Sequence, residues 1–226
     1  MNFVYLVIEI IICFLLMGVF YKISKKDGLY LYLGLMGSIL SIILVGNMEI
    51  LKFQVSIAIP VVMSLFICNN VIIHRYGLDE VGRILKTFCF AYVTTFVVLS
   101  LSSLICNYRI DISSNNVYDL LFGYMINNIR CIIGGFVSTI VMLLIGSGIY
   151  YSSRKNRNTF IFSNLVTAFV ICFVECFVFV LISYVGIFDA IELFGMISVR
   201  YIMEVLFAVV GLIPAYILIK FVDRWL

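Results

Sequence analysis

Long apolar stretches separated by short polar groups run through the whole chain. Each stretch is about as long as the roughly 20 residues that a helix needs to cross a bilayer. The pattern predicts seven membrane helices, at about residues 2–21, 29–48, 53–73, 86–106, 128–151, 159–188 and 194–221. A short interfacial segment is predicted just before Asn127. We therefore expect an all-α polytopic integral membrane protein of six to seven transmembrane helices, seven being favoured, that forms one domain over residues 1–226.

Composition strengthens this prediction and limits the function. Of the 226 residues, 64% are hydrophobic and 12% are charged, against roughly 25% charged in soluble domains. Seven crossings take roughly 140 residues, which leaves no room for a soluble catalytic domain. The sequence also lacks the motifs HExxH, GxSxG, GxGxxG and the P-loop. We therefore expect neither an enzyme nor a chain that hydrolyses ATP by itself.

The cysteines do not indicate a metal site or a set of disulfides. They lie scattered in apolar stretches, and no two of them form a CxxC pair: Cys13, Cys68, Cys89, Cys106, Cys131, Cys172 and Cys176. The chain also has only 1 histidine, which argues against a His-rich metal site. We expect these thiols to pack as small apolar side chains, with no metal and no cofactor.

The basic residues predict the orientation in the membrane. If the helices alternate, 11 of the 15 Lys and Arg residues fall on one side: Lys22, Lys25, Lys26, Arg75, Arg83, Lys86, Arg154, Lys155, Arg157, Lys220 and Arg224. Basic loops are retained in the cytoplasm. We therefore expect a plasma (inner) membrane protein with its amino terminus outside and its carboxyl terminus in the cytoplasm. These loops account for the net charge of +3, so no nucleic-acid partner is expected.

A few polar residues inside the apolar stretches are the candidates for function. A charge near the bilayer centre costs about 2.5 to 3.5 kcal/mol, so such residues usually face a cavity or a partner. Helical spacing places Asn70 with His74 on one face, and Thr167 with Glu175 on another. Glu175 is the only charge within a long uncharged run, which favours a functional cavity position. The other polar candidates are Asn47, Asn69, Arg130, Asn164, Arg200 and Glu204.

Some of these candidates have a structural interpretation of equal weight. Arg200 and Glu204 are four residues apart near the predicted start of their helix, which also suits a structural ion pair at the membrane surface. His74 precedes Arg75 at the predicted cytoplasmic end, which equally suits an interfacial histidine. The sequence leaves both alternatives open.

Several motifs occur in the same order as in a known transporter family. The loop after the first helix ends Lys25-Lys26-Asp27-Gly28-Leu29-Tyr30, and Asn47 is followed five residues later by Lys52. Further matches are Asn70 and His74 with Arg75-Tyr76-Gly77 and Arg83, then Arg130, Thr167 with Glu175, and Tyr201, Glu204 and Pro214. Over nearly its whole length the chain thus resembles the queuosine precursor transporters, also called the vitamin uptake transporter (VUT) family.

The resemblance implies a transporter whose substrate binds among the helices near the midplane of the membrane. Several charged positions of the family differ in this chain. An Asp and a Glu of the third helix are here Asn70 and His74, an acidic position of the fifth is Gly146, and a Lys of the seventh is Glu204. The usual substrates of the family are 7-deazaguanine bases on the way to queuosine.

We expect a secondary transporter that takes up a small heterocyclic or vitamin-like solute. Its predicted binding residues are Asn47, Asn70, His74, Arg130, Thr167, Glu175 and Glu204. The expected partners are this solute and the lipid bilayer, with a homodimer and separate ATPase partners left open. The alternative functions are a substrate-binding membrane subunit that needs those ATPases, and a non-transporting membrane accessory protein.

Overall fold

The computed structural model describes residues 2–44, 46–50, 53–106, 128–156 and 159–221. Its elements within these ranges are α1 (Asn2–Ile43), β1 (Asn47–Ile50), β2 (Phe53–Ser56), α2 (Ile59–Tyr76), α3 (Val81–Cys106), α4 (Ile129–Lys155), α5 (Phe160–Tyr184) and α6 (Ala190–Phe221). In the described part of the chain, 6 helices are long and apolar enough to cross a membrane. This confirms the predicted helical, polytopic membrane architecture. The interfacial segment predicted before Asn127 lies outside the described residues.

Helix α1 reverses direction near its middle, which makes it two membrane helices. Ser24 and Lys25 have non-helical backbone angles, with φ 44° at Lys25. The rings of Phe20 and Tyr32 are therefore 6.3 Å apart, although the same residues would be separated by roughly 18 Å along a straight helix. The reversal is tight, because a Cβ on Gly28 would collide with the carbonyl of Phe20. The first two predicted helices are thus both present.

A β-hairpin replaces helix ends that the hydropathy pattern predicts. Helices were expected at 29–48 and 53–73, whereas Asn47 pairs with Ser56 in an antiparallel ladder. Helix α2 begins only at Ile59, with Pro60 in its first turn. Proline suits this position because its fixed φ matches a helix and its missing amide hydrogen has no helical partner there. Hydropathy alone misses the hairpin because each strand has only four residues and lies between two long apolar stretches.

The last helix also begins earlier than predicted, at Ala190 and not near residue 194. The reason is a capping box in which Asp189 and Glu192 each accept a hydrogen bond from the other's backbone amide, at 2.8 and 3.4 Å. The preceding helix ends at Tyr184 and not near residue 188. Acidic residues that resembled a loop in the sequence therefore form a helix start.

Helix α2 lies at the centre of the bundle. Every residue from Ile59 to Ile73 is buried, and the helix packs against α1, α4 and α6. Helices α4 and α5 form a closely packed antiparallel pair beside it. Helix α3 lies at the edge, where Phe90 and Val98 are exposed as a lipid-facing surface requires.

The basic residues gather at one end of the bundle, which we call the basic end. Lys26 and Arg83 both approach Glu80 in the turn between α2 and α3. Arg75 donates to the carbonyl of Ile219 at 2.6 Å, which ties α2 to α6. The other end of the bundle, where α4 begins and α5 ends, is called the opposite end below.

Candidate functional site

Four buried polar side chains from three helices meet between the two ends of the bundle. We call this group the charged cluster: Ser138 of α4, Glu175 of α5, and Arg200 and Glu204 of α6. None of the four exposes more than 3% of its surface. Arg200 lies about 15 Å along the helix axis from Ala190, well inside the apolar span.

Arg200 bridges the two glutamates of the charged cluster. Its Nη2 donates to both carboxylate oxygens of Glu175, at 3.0 and 3.2 Å, and its Nε donates to Glu204 Oε1 at 2.8 Å. The Ser138 hydroxyl donates to Glu175 Oε1 at 2.7 Å. The guanidinium also lies 3.9 Å from the ring centroid of Phe179, a cation–π contact that stabilises the charge in apolar surroundings.

The two glutamates are not equally satisfied. Glu175 accepts hydrogen bonds at both oxygens, whereas Glu204 Oε2 is buried without a hydrogen-bond partner among the described residues. Arg200 Nη1 is likewise buried without a hydrogen-bond partner among the described residues. A buried charge without full compensation is strongly destabilising, so this arrangement is more typical of a functional site than of a structural ion pair.

Cys176 brings a thiol close to the same carboxylates. Its Sγ and one oxygen each of Glu175 and Glu204 lie within 4.8 Å of one another. Such a group has the composition of a metal site, but the guanidinium of Arg200 already contacts both carboxylates and supplies the positive charge there. We therefore interpret it as part of the charged cluster and not as a metal centre.

A second polar group, which we call the amide network, lies nearer the basic end. It consists of Asn69 and Asn70 of α2, Ser147 of α4 and Asn164 of α5, all of them buried. Asn70 Nδ2 donates to Asn164 Oδ1 at 2.8 Å, and Asn69 Nδ2 donates to Ser147 Oγ at 3.1 Å. These bonds join the central helix α2 to the antiparallel pair.

The remaining predicted site residues lie outside these two groups. His74 lies one turn beyond Asn70, with its Nδ1 3.1 Å from the Tyr150 hydroxyl. Thr167 uses its hydroxyl within its own helix, donating to the carbonyl of Ser163 at 2.7 Å. Neither side chain contacts the charged cluster through a hydrogen bond in the described part of the chain.

Asn47 and Arg130 lie at the opposite end of the bundle. Asn47 on β1 donates to the Tyr184 hydroxyl at 3.4 Å. Arg130, in the first turn of α4, is exposed and donates to the carbonyl of Val185 at 3.0 Å. The structure therefore distributes the predicted residues along the length of the bundle and brings Glu175 and Glu204 together.

No protein-family model, curated protein or solved structure matches this chain. The resemblance to the queuosine precursor transporters thus rests on the motifs and stays a prediction. Two of those motifs meet in the structure, because Lys26 and Tyr30 of the first both bind Glu80, shortly after Tyr76-Gly77 of the second.

Two members of the charged cluster were not among the predicted site residues. Arg200 had a signal in its spacing from Glu204, but the late predicted start of its helix placed it near the membrane surface. Ser138 had no signal, because a serine in an apolar helix commonly bonds its own backbone. Ser138 also makes such a contact, at 3.3 Å from the carbonyl of Gly135.

A groove of about 1500 Å³ lies apart from both polar groups. It runs between the second half of α1 and α3, and its lining is mainly apolar, with Leu35, Phe90 and Val93 among its residues. Because α3 presents its exposed apolar face on this side, we assign the groove to lipid contact and not to a polar solute.

Proposed function

We propose that this protein is a secondary transporter of the plasma membrane that takes up a small heterocyclic or vitamin-like solute. The observation that carries the proposal is the charged cluster, in which Glu175, Arg200 and Glu204 are buried within apolar helices. Ionisable residues inside membrane helices are rare, and those that occur usually mark substrate or ion pathways. The resemblance to the queuosine precursor transporters supports the same function.

The proposed solute position lies between the charged cluster and the amide network. A thin layer of packed residues separates the two groups, formed by Gly146 and the side chains of Ile171, Phe66 and Thr167. A Cβ added to Gly146 would lie 3.5, 3.8 and 3.9 Å from these three side chains. A planar heterocycle in this layer would stack on Phe66 and meet the amide network at its polar edge. Because the side chains of this layer pack around Gly146 and leave no space for a solute, the solute can enter only if the helices separate, as in alternating access.

A thermal-shift screen of the purified protein tests the proposal without a known solute. Deazapurines, purines and vitamins are added singly, since a ligand that binds only the folded state raises its stability, by about 2.7 kcal/mol at 100 times its Kd. We expect a hit that stabilises the wild type and fails to stabilise Glu175→Gln. Glu192→Gln is the matched control, because Glu192 is exposed at the start of α6.

Uptake of the hit into liposomes then tests transport itself. Wild-type protein should accumulate it without other proteins, whereas Glu175→Gln should be inactive although it reaches the membrane in folded form. Normal uptake by Glu175→Gln would exclude this site assignment. Binding without uptake by the chain alone would instead favour the membrane subunit that relies on separate ATPases.

A further inference from the structure

The charged cluster contains two acidic side chains, Glu175 and Glu204, and one basic side chain, Arg200. Arg200 forms ion pairs of 3.0 Å with Glu175 and 2.8 Å with Glu204, and one carboxyl oxygen of each glutamate lies within 4.8 Å of the other. If both acids were ionised, the cluster would carry a net negative charge inside an apolar span. Two carboxylates held this close in such surroundings do not both ionise, because their repulsion retains a proton on one of them.

The hydrogen bonds show which carboxyl holds this proton. Glu175 accepts from Ser138 and from Arg200 at both of its oxygens, and these donors stabilise a carboxylate. Glu204 accepts from Arg200 Nε, and its Oε2 has no hydrogen-bond partner within the described residues. A proton on that oxygen gives Glu204 a hydroxyl donor close to the Glu175 carboxyl, since one oxygen of each glutamate lies within 4.8 Å of the other.

We propose that Glu204 is a proton-binding site, and that its proton is the coupling ion of transport. A proton from water adds to Glu204 Oε2 and leaves the cluster neutral, with Arg200 paired to ionised Glu175. Loss of the same proton to water leaves one excess negative charge, which favours a conformation open to solvent. The proton site itself follows from the geometry, whereas its coupling role rests on the proposed function.

Thiols, hydroxyls and phenols from several helices surround the two carboxyls. Helix α5 presents Cys172 and Cys176 to the glutamates and Arg200, and Tyr184 to Arg200. On α4 the neighbouring group is Ser138, and on α6 it is Tyr201, which lies near the two thiols of α5. On α2, Met63 contacts Cys172. Helix α1 carries a separate pair, Glu9 and Cys13. Thiols and phenols are ordinarily neutral at pH 7, so the charge balance is set by the two acids and Arg200.

Infrared difference spectroscopy of the purified protein in lipid nanodiscs detects the proton directly, because protonated and ionised carboxyls have separate carbonyl bands. Wild-type protein should show a carboxylic-acid band at neutral pH that shifts in D2O. Glu204→Gln should lose it. Glu175→Gln should lose it as well, because the remaining Glu204 then ionises against Arg200. Arg200→Gln should enlarge the band, because both glutamates then lack a cationic partner and both hold a proton.

Glu9→Gln and Glu192→Gln are the controls and should keep the band, because neither residue belongs to the charged cluster. A wild-type spectrum without a carboxylic-acid band at neutral pH overturns the proton site, whatever the variants do. A band that persists in both Glu175→Gln and Glu204→Gln overturns it too, since the proton then belongs to another residue.

The coupling role is tested separately with the solute found by the thermal-shift screen. A pH gradient should drive its uptake into liposomes, and a sodium gradient should not. Glu204→Gln should lose the response to the pH gradient, whereas the control Glu192→Gln should keep it, because Glu192 is exposed at the start of α6. Uptake driven by sodium overturns the coupling role. A proton band in a protein that transports none of the screened solutes contradicts the proposed function and supports the proton site.

Discussion

Asn164 and Glu204 are both fully buried, but their hydrogen bonding differs. The Asn164 amide accepts from Asn70 and donates to the carbonyl of Phe160, both at 2.8 Å, so its oxygen and nitrogen are both used. Glu204 leaves one oxygen without a partner in the described chain. Asn164 therefore contributes mainly to helix packing, whereas Glu204 retains the capacity to bind a proton.

This difference predicts opposite effects of two substitutions on stability. Asn164→Leu removes the acceptor of the buried Asn70 Nδ2 and should lower the free energy of unfolding by about 1–3 kcal/mol. Glu204→Gln keeps an acceptor for Arg200 and imitates the protonated acid, so its stability should change little. Thermal unfolding in detergent measures both. An equal loss in the two variants would contradict the distinction, and Asn156→Leu, at an exposed position, is the control for the leucine.

At the scale of elements, the reversal of α1 depends on contacts at the basic end. Lys26 Nζ lies 2.6 Å from Glu80 Oε1, and the Tyr30 hydroxyl donates to Glu80 Oε2 at 2.5 Å. Gly28 permits the close approach of the two halves, because any larger residue would meet the Phe20 carbonyl. The loop motif Lys26 to Tyr30 therefore has a structural role as well as its place in the family resemblance.

Gly28→Ala tests the importance of this reversal for the fold. Because the new methyl group overlaps backbone, the two halves of α1 must move apart, and we expect a loss of about 1–3 kcal/mol of stability. Thermal unfolding in detergent is again the measurement. Gly148→Ala is the matched control, since nothing lies within 4 Å of a Cβ there, and alanine should stabilise that helix slightly. Equal melting temperatures for the two variants would contradict the tight turn.

At the scale of the whole molecule, helix α5 connects the two ends of the bundle. Before it, α4 ends with Arg154 and Lys155 in its last turn. After it, a short turn contains Gly186 with φ 83° and carries no basic residue. Because basic segments are retained in the cytoplasm, we propose that the basic end is cytoplasmic and that the turn at Gly186 is outside.

Epitope insertions on either side of α5 test this orientation. An epitope after Gly186 should bind antibody on intact spheroplasts, whereas one after Asn156 should bind only after the membrane is permeabilised. Both positions are exposed, so a short insertion displaces no packed side chain. The reverse labelling pattern would invert the proposed topology, and labelling of both sites from one side would show that α5 does not cross.

The sequence by itself determined that the chain is an all-α polytopic membrane protein, because bilayer thickness sets the length of an apolar span. It also singled out Glu175, since a lone charge in such a span needs a partner wherever the helix packs. It did not identify that partner, because Arg200 lies on another helix and only packing brings the two side chains to 3.0 Å.

The tertiary structure alone decided between strand and helix at Phe53–Ser56, because four residues are too few for their periodicity to separate the two, and the ladder with Asn47–Ile50 is a contact between segments. It likewise separated Arg130 and Asn47 from the charged cluster, although all are polar residues of apolar regions. Hydropathy records which residues avoid water. The depth at which each side chain lies, and the side chain it faces, depend on where helices begin and how they pack.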